Sequence, residues 1–230
     1  MESIQFGSKT ISYSLAYKER KTLGITVHVD RTVSVKAPLD TTVAQVREKV
    51  RKRAPWIIKQ QGYFLSFEPR TPARKYVGGE THLYLGKQYR LQFINSPAEK
   101  VLLKGAFLEV HTVDKSKGKE LLSNWYQEKA IKLFLPLCEK WINKFEKYSV
   151  SPQTIKIHSM SNRWGSCTPK GKIILNTELI QAPKRCIEYV IVHELCHLVH
   201  HNHSQAFFDL QTLVFSDWKV WKEKLERVMV

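Results

Sequence analysis

Tyr189-Val-Ile-Val-His-Glu-Leu-Cys-His-Leu-Val-His-His-Asn-His203 is the stretch from which the rest of this 230-residue chain is read. It contains His193-Glu194-x-x-His197, the H-E-x-x-H pattern. Residues four apart share one face of a helix, so His193 and His197 present two imidazoles to one metal ion. Glu194 sits about 100° round from His193, beside such an ion rather than on it, where it can take a proton from water. Two imidazoles and an adjacent carboxylate are what metal-assisted hydrolysis needs. Ile187, Val190, Ile191, Leu195 and Leu198 make the surrounding helix strongly apolar. Polar groups embedded there must be satisfied or cost stability. The bland alternative is a core helix with two hydrogen-bonded histidines.

A third ligand is expected downstream, and spacing separates His200, His201 and His203. His200 would have to reach back along the same helix, and His201 lies a turn further from the shared centre. His203 follows Asn202, a residue that tolerates the left-handed conformation ending many helices. A chain doubling back there aims His203 at the ion. His193, His197 and His203 then leave the fourth position open, the arrangement of a catalytic zinc. The same spacing occurs in metzincins, but His200 stands where their glycine would be and no methionine turn is recognisable, so membership of that group is rejected.

Composition bounds the alternatives. A hydrophobic content of 43% is ordinary for a globular protein. No run of about 18 apolar residues exists, so no membrane-spanning helix is expected. The first residues lack the basic and apolar regions of a signal peptide, which leaves the cytoplasm as the expected location. Cys138, Cys167, Cys186 and Cys196 form no C-x-x-C pair and no disulfide framework; they read as small buried residues, with Cys167 in a loop able to approach the metal. The net charge of +16 attracts anionic partners, nucleic acid among them.

The first 115 residues read as β-rich, with a basic helix at about 40–65, and residues 116–230 as the catalytic domain. Ile11–Leu15, Thr22–Val29 and Val33–Lys36 alternate in period two. Asp40 or Thr41 can cap a helix carrying Val43, Val46 and Val50, which Pro55 should divide. That helix bears Arg47, Lys49, Arg51, Lys52 and Arg53, followed by Trp56; a basic helix with an aromatic could meet a nucleic-acid backbone, with Arg47, Arg51, Lys52 and Arg53 the candidates, while the commoner arrangement is a solvated face with Trp56 in the core. Residues 66–75 read as a linker. Hairpins turning at Gly86-Lys87 and Lys104-Gly105 follow, and His82 and His111 read as ordinary strand histidines. Residues 120–148 form a long amphipathic helix that Pro136 should kink or split. A strand over 154–158 enters a polar loop ending at Cys167, and the chain returns through residues 172–176. Ser204 caps the next helix, and a last one follows Ser216. No internal repeat is visible.

Arg163-Trp-Gly-Ser-Cys167, Ile174-Leu-Asn176, Ala182-Pro183, Tyr189–Leu198 and Asn202-His-Ser204 with Phe207 and Phe208 resemble the YgjP-like metallopeptidase family, which is similar to the SprT-like zincins. The resemblance is dense over residues 119–215 and extends more weakly upstream. It implies an α+β fold: a minimal zincin-like metallopeptidase domain with a β-rich N-terminal part. It implies one Zn2+ per chain on His193, His197 and His203, with Glu194 as general base and a peptide or protein as substrate. It also implies that residues 173–176 are the edge strand along which an extended peptide docks. Arg163, Asn176 and His200 are then candidates for contact with substrate or support of the ligands, Arg163 either steadying a developing oxyanion or held in a structural ion pair. His158 and His201 are reserves for moving a proton. Two rival functions remain: a nucleic-acid-associated, SprT-like protease acting on DNA-bound proteins, and a metal-binding module without catalysis.

Overall fold

Period-two alternation in the first forty residues produces a sheet with one buried face. In the computed structural model, which describes residues 1–28, 30–65, 74–161 and 163–228, strands β1 (Glu2–Phe6), β2 (Lys9–Tyr17), β3 (Gly24–Val27) and β4 (Val33–Ala37) pair in the order β1-β2-β4-β3. Helix α1 (Val43–Leu65) lays Val46, Val50, Ala54 and Ile57 into a core with Ile4, Ile11, Tyr13 and Val35. Its start is a capping box one residue later than expected: the Thr42 amide donates to Gln45 Oε1 at 2.9 Å, and the Gln45 amide to Thr42 Oγ1 at 3.3 Å. Pro55 does not divide α1. A proline removes one intrahelical donor, and the stripe of buried residues on both sides of it keeps the helix continuous. Trp56 is not in the core; it is 39% exposed.

The residues fall into two compact units, Met1–Pro72 and Ala73–Met229. The expected boundary at 115/116 therefore falls inside the second unit. Most of the expected linker, residues 66–73, lies outside the described residues. In the second unit, β5 (Thr81–Tyr84), β6 (Lys87–Ile94), β7 (Lys100–Lys104) and β8 (Phe107–His111) pair in the order β5-β6-β8-β7. The topology of the first sheet is thus repeated: two antiparallel hairpins joined in parallel through their second strands, β2 to β4 and β6 to β8. Each sheet is followed by a long helix with an internal proline, α1 with Pro55 and α2 (Gly118–Phe145) with Pro136. No repeat is visible in the sequence because strand pairing constrains alternation, not residue identity. Pro136 leaves α2 unsplit, with Phe134, Leu137 and Cys138 buried around it.

The remaining elements include the His193–His197 stretch. Strands β9 (Thr154–His158), β10 (Gly165–Cys167) and β11 (Lys172–Asn176) form a sheet in the order β10-β11-β9. The expected edge strand, residues 173–176, is therefore the central one, hydrogen-bonded on both sides, and β10 is at the edge. Ile173 and Leu175 are buried on its core side, which suits a central position. Helix α3 (Lys184–Val199) packs on this sheet and on α2, followed by α4 (Gln205–Val214) and α5 (Trp218–Val228). One core joins α2, α3, β11 and the β5–β8 sheet. No helix among the described residues is long and apolar enough to cross a membrane.

Candidate metal centre

Helix α3 is buried on almost every side, so its polar residues had to find partners. Glu188, on the side away from the motif, is 3% exposed and bonded to Lys140 at 3.1 Å and Arg185 at 3.2 Å. His193, Glu194 and His197 face a cavity of about 330 Å³ instead.

The helix ends at Val199. His200 is extended (φ −126°, ψ 106°), and Asn202 is not in the left-handed conformation expected of it. The reversal comes from the short segment between two helices. The Ser204 amide donates to the Asn202 carbonyl at 2.9 Å, and the Ser204 side chain caps α4. Capping at Ser204 fixes the preceding residue, His203, over the end of α3.

His193, His197 and His203 each offer a ring nitrogen, and these atoms all lie within 4.8 Å of one another. His193 Nε2 and His203 Nε2 are 3.0 Å apart. That is near the roughly 3.3 Å between two ligands of a tetrahedral ion with bonds of about 2.05 Å. Two of the three imidazoles are oriented from behind. His193 Nδ1 donates to Gln211 Oε1 at 3.0 Å, and His197 Nδ1 to the His200 carbonyl at 3.2 Å. Both therefore present Nε2 with its lone pair free, the tautomer a metal requires. Burial, aided by the other two histidines, depresses the His193 pKa to about 4, and that of His197 is also lowered by burial. Two neutral, pre-oriented imidazoles converging with that of His203 fit a divalent metal ion.

Phe207, fully buried, lies under all three rings, with centroids 5.0, 4.6 and 4.8 Å from those of His193, His197 and His203. Phe208 stacks on His203 and, from its other contacts, on Trp218. Gln211 and Phe207 were not assigned roles from the sequence. Their i, i+4 spacing on a helix that opens just after His203 was the available signal.

Glu194 is 5% exposed, and burial raises its carboxyl pKa to about 8, against the pull of the Arg163 charge. A divalent cation beside it would favour the carboxylate. Gly165 of β10 makes room for this side chain: a Cβ there would sit 2.5 Å from Glu194 Oε1 and 2.9 Å from Cδ. Ser166, Cys167 and Thr168 line the same cavity. The Cys167 thiol is pushed up to about 11 by burial and the Glu194 charge, and it is not among the convergent ligand atoms.

Arg163 lines the cavity, is exposed, and forms no ion pair among the described residues. Asn176 does not reach the cavity; it is 2% exposed and clamps the loop that does. Its Nδ2 donates to the carbonyls of Met160 (2.8 Å) and Arg163 (2.9 Å), and its Oδ1 accepts from the Met160 and Glu178 amides. The His200 ring does not line the cavity, and His200 acts through its carbonyl. His201 lines the wall and donates to the His197 carbonyl, whereas His158 is turned to the Ser159 carbonyl, away from the site. The four nucleic-acid candidates on α1 are all exposed; Arg47 is held by Glu2 at 2.8 Å and Lys52 by Glu48 at 2.8 Å. All four belong to the first compact unit, and the three convergent histidines to the second.

A family model described as the YgjP-like metallopeptidase domain matches residues 21–228. No curated protein matches. Among solved structures, the chain is similar to the metallopeptidase zymogen jannalysin of Methanocaldococcus jannaschii (17% identity, 42% of this chain and 97% of that one, TM-score 0.38). It is also similar to the metallopeptidase zymogen abylysin of Pyrococcus abyssi (22% identity, 43% of this chain and all of that one, TM-score 0.36).

Proposed function

The chain belongs to the YgjP-like metallopeptidase family, and from that premise we propose that it is a zinc-dependent peptidase with Glu194 as general base. The observation that carries this reading is the convergence of three imidazole nitrogens within 4.8 Å beside a buried carboxylate. A purely structural zinc site is usually closed by four protein ligands and needs no such carboxylate.

His193, His197 and His203 would hold the ion. When bound, zinc supplies a Lewis acid that polarises a carbonyl and lowers the pKa of water toward about 7. Glu194 takes a proton from the attacking water on a carboxylate oxygen and passes it to the leaving amine nitrogen. The substrate would lie as an added strand along β10, whose outer edge has no partner strand among the described residues. Arg163, which lines the cavity and forms no ion pair among the described residues, would meet a carbonyl oxygen as negative charge develops on it.

The test is elemental analysis of purified wild type, His203→Ala and Glu194→Gln, together with cleavage of an unfolded protein such as casein. The expected result is about one zinc per wild-type chain, loss of most of it in His203→Ala, and full metal with no cleavage in Glu194→Gln. Equal cleavage by Glu194→Gln would remove the assigned base. A chain that neither holds nor takes up zinc would overturn the enzyme reading.

A further inference from the structure

Helix α1 carries six basic residues and one acidic residue, Glu48. Its exposed surface is organised around an indole. At about 100° per residue, Lys49, Lys52, Arg53 and Lys59 fall within roughly 60° of Trp56 on either side. These four and Trp56 are all exposed, with Trp56 at 39%. Trp56 makes no ring or cation contact among the described residues, and Lys49, Arg53 and Lys59 form no ion pairs there. Arg47 and Arg51 lie on the other flank of the buried stripe, Arg47 against Glu2. The basic cluster named from the sequence is thus split by the helix. Lys49, Lys52 and Arg53 stay with the indole, and Lys59 joins them.

We propose that this face of α1 binds single-stranded nucleic acid, Trp56 stacking on a base while Lys49, Lys52, Arg53 and Lys59 meet the flanking phosphates. The chemistry is complementary on both counts. An exposed aromatic face offers a sequence-tolerant stacking platform, and cations spaced along the helix follow a phosphate backbone. Lys49 to Lys59 spans about 15 Å of helix, the reach of two to three extended nucleotides. An anionic membrane surface would share the charge but calls for an apolar stripe to bury. Here the arc around Trp56 is otherwise basic or polar, apart from the half-buried Tyr63. The proposal is independent of the metal centre and of peptidase activity.

The experiment is fluorescence anisotropy of a labelled oligothymidylate of about 20 nucleotides with the full chain, over a salt series. Three to four phosphate contacts give an expected slope of log affinity against log salt of about −2 to −3. Trp56→Ala should weaken binding roughly 5- to 100-fold, while Trp56→Phe keeps most of it. Replacing Lys49, Arg53 and Lys59 together by Gln should flatten the slope. Unchanged circular dichroism and an unchanged thermal transition of residues 1–72 establish that each variant is folded. No binding near 50 mM salt, or equal binding by Trp56→Ala, would overturn the proposal; the latter would reduce the effect to the overall positive charge. Phosphatidylglycerol vesicles that displace the oligonucleotide and bind in a Trp56-dependent way would assign the face to membrane instead.

Discussion

At the scale of single residues, the candidate metal centre depends on side chains that would never touch a metal ion. Gln211 is fully buried and accepts the His193 Nδ1 proton, while its own Nε2 has no partner among the described residues. Only its acceptor end is used. Gln211→Ala should therefore weaken zinc affinity by about 10- to 100-fold, and Gln211→Glu, which keeps an acceptor, should retain most of it. Competition with a chromogenic chelator measures both. Gly165 is a residue whose role is to be absent. In Gly165→Ala the new methyl would displace the Glu194 carboxylate. Cleavage should fall by at least an order of magnitude, since about 1 Å of misplacement can cost roughly 100-fold. Zinc content should not change.

At the scale of elements, the loop carrying Arg163 is held by one buried amide. Asn176→Ala leaves the Met160 and Arg163 carbonyls and two amides without their partner. The expected cost is about 1–3 kcal/mol or somewhat more, read from urea unfolding, with a loss of cleavage while zinc is kept. A second network ties β5 to the segment before it. His82 is fully buried, its Nε2 3.0 Å from Glu80 and its Nδ1 3.3 Å from Arg74, and Arg74 donates to Gln181 at 2.6 Å. Burial and the Arg74 charge lower the His82 pKa, against the Glu80 carboxylate. The unfolded chain, with an ordinary pKa near 6.5, then takes up the proton first. Stability from this group is complete above pH about 6.5 and lost as the pH falls toward the depressed folded value. The metal-free chain should lose up to about 1.4 kcal/mol per pH unit through His82, and less in His82→Gln, as denaturant melts at pH 7 and 5 would show. His193 and His197, whose pKa values are also depressed, add to both proteins, so the difference between them isolates His82.

At the scale of the molecule, two separate cores underlie two compact units. Ile57 is fully buried in the smaller one. Ile57→Ala should cost about 2–5 kcal/mol of stability there. It should leave the zinc affinity of His193, His197 and His203 unchanged, because those ligands rest on the other core. Calorimetry with and without chelator separates the effects: zinc should raise the transition of residues 73–229 only.

Sequence alone marked the candidate ligands and the carboxylate beside them. H-E-x-x-H is a local pattern, and four-residue spacing on a helix is enough to bring His193 and His197 together with Glu194 beside them. His203 does converge with His193 and His197, but by a different turn from the one expected: the reversal comes from the extended His200 and the Ser204 cap, not from a left-handed Asn202. Strands and helices were legible because alternation and amphipathic stripes are written residue by residue. Three features were decided only by tertiary structure, each through contacts between residues far apart in the chain. Strand order made β11 central and β10 the edge, since hydrogen bonding to β9 leaves no trace in the alternation of either strand. Packing kept α1 and α2 continuous through their prolines, because a filled core outweighs one missing helical hydrogen bond. The unit boundary moved to 72/73 because the β5–β8 sheet shares its buried side chains with α2 and α3, and which core a β-strand joins is a property of the folded chain.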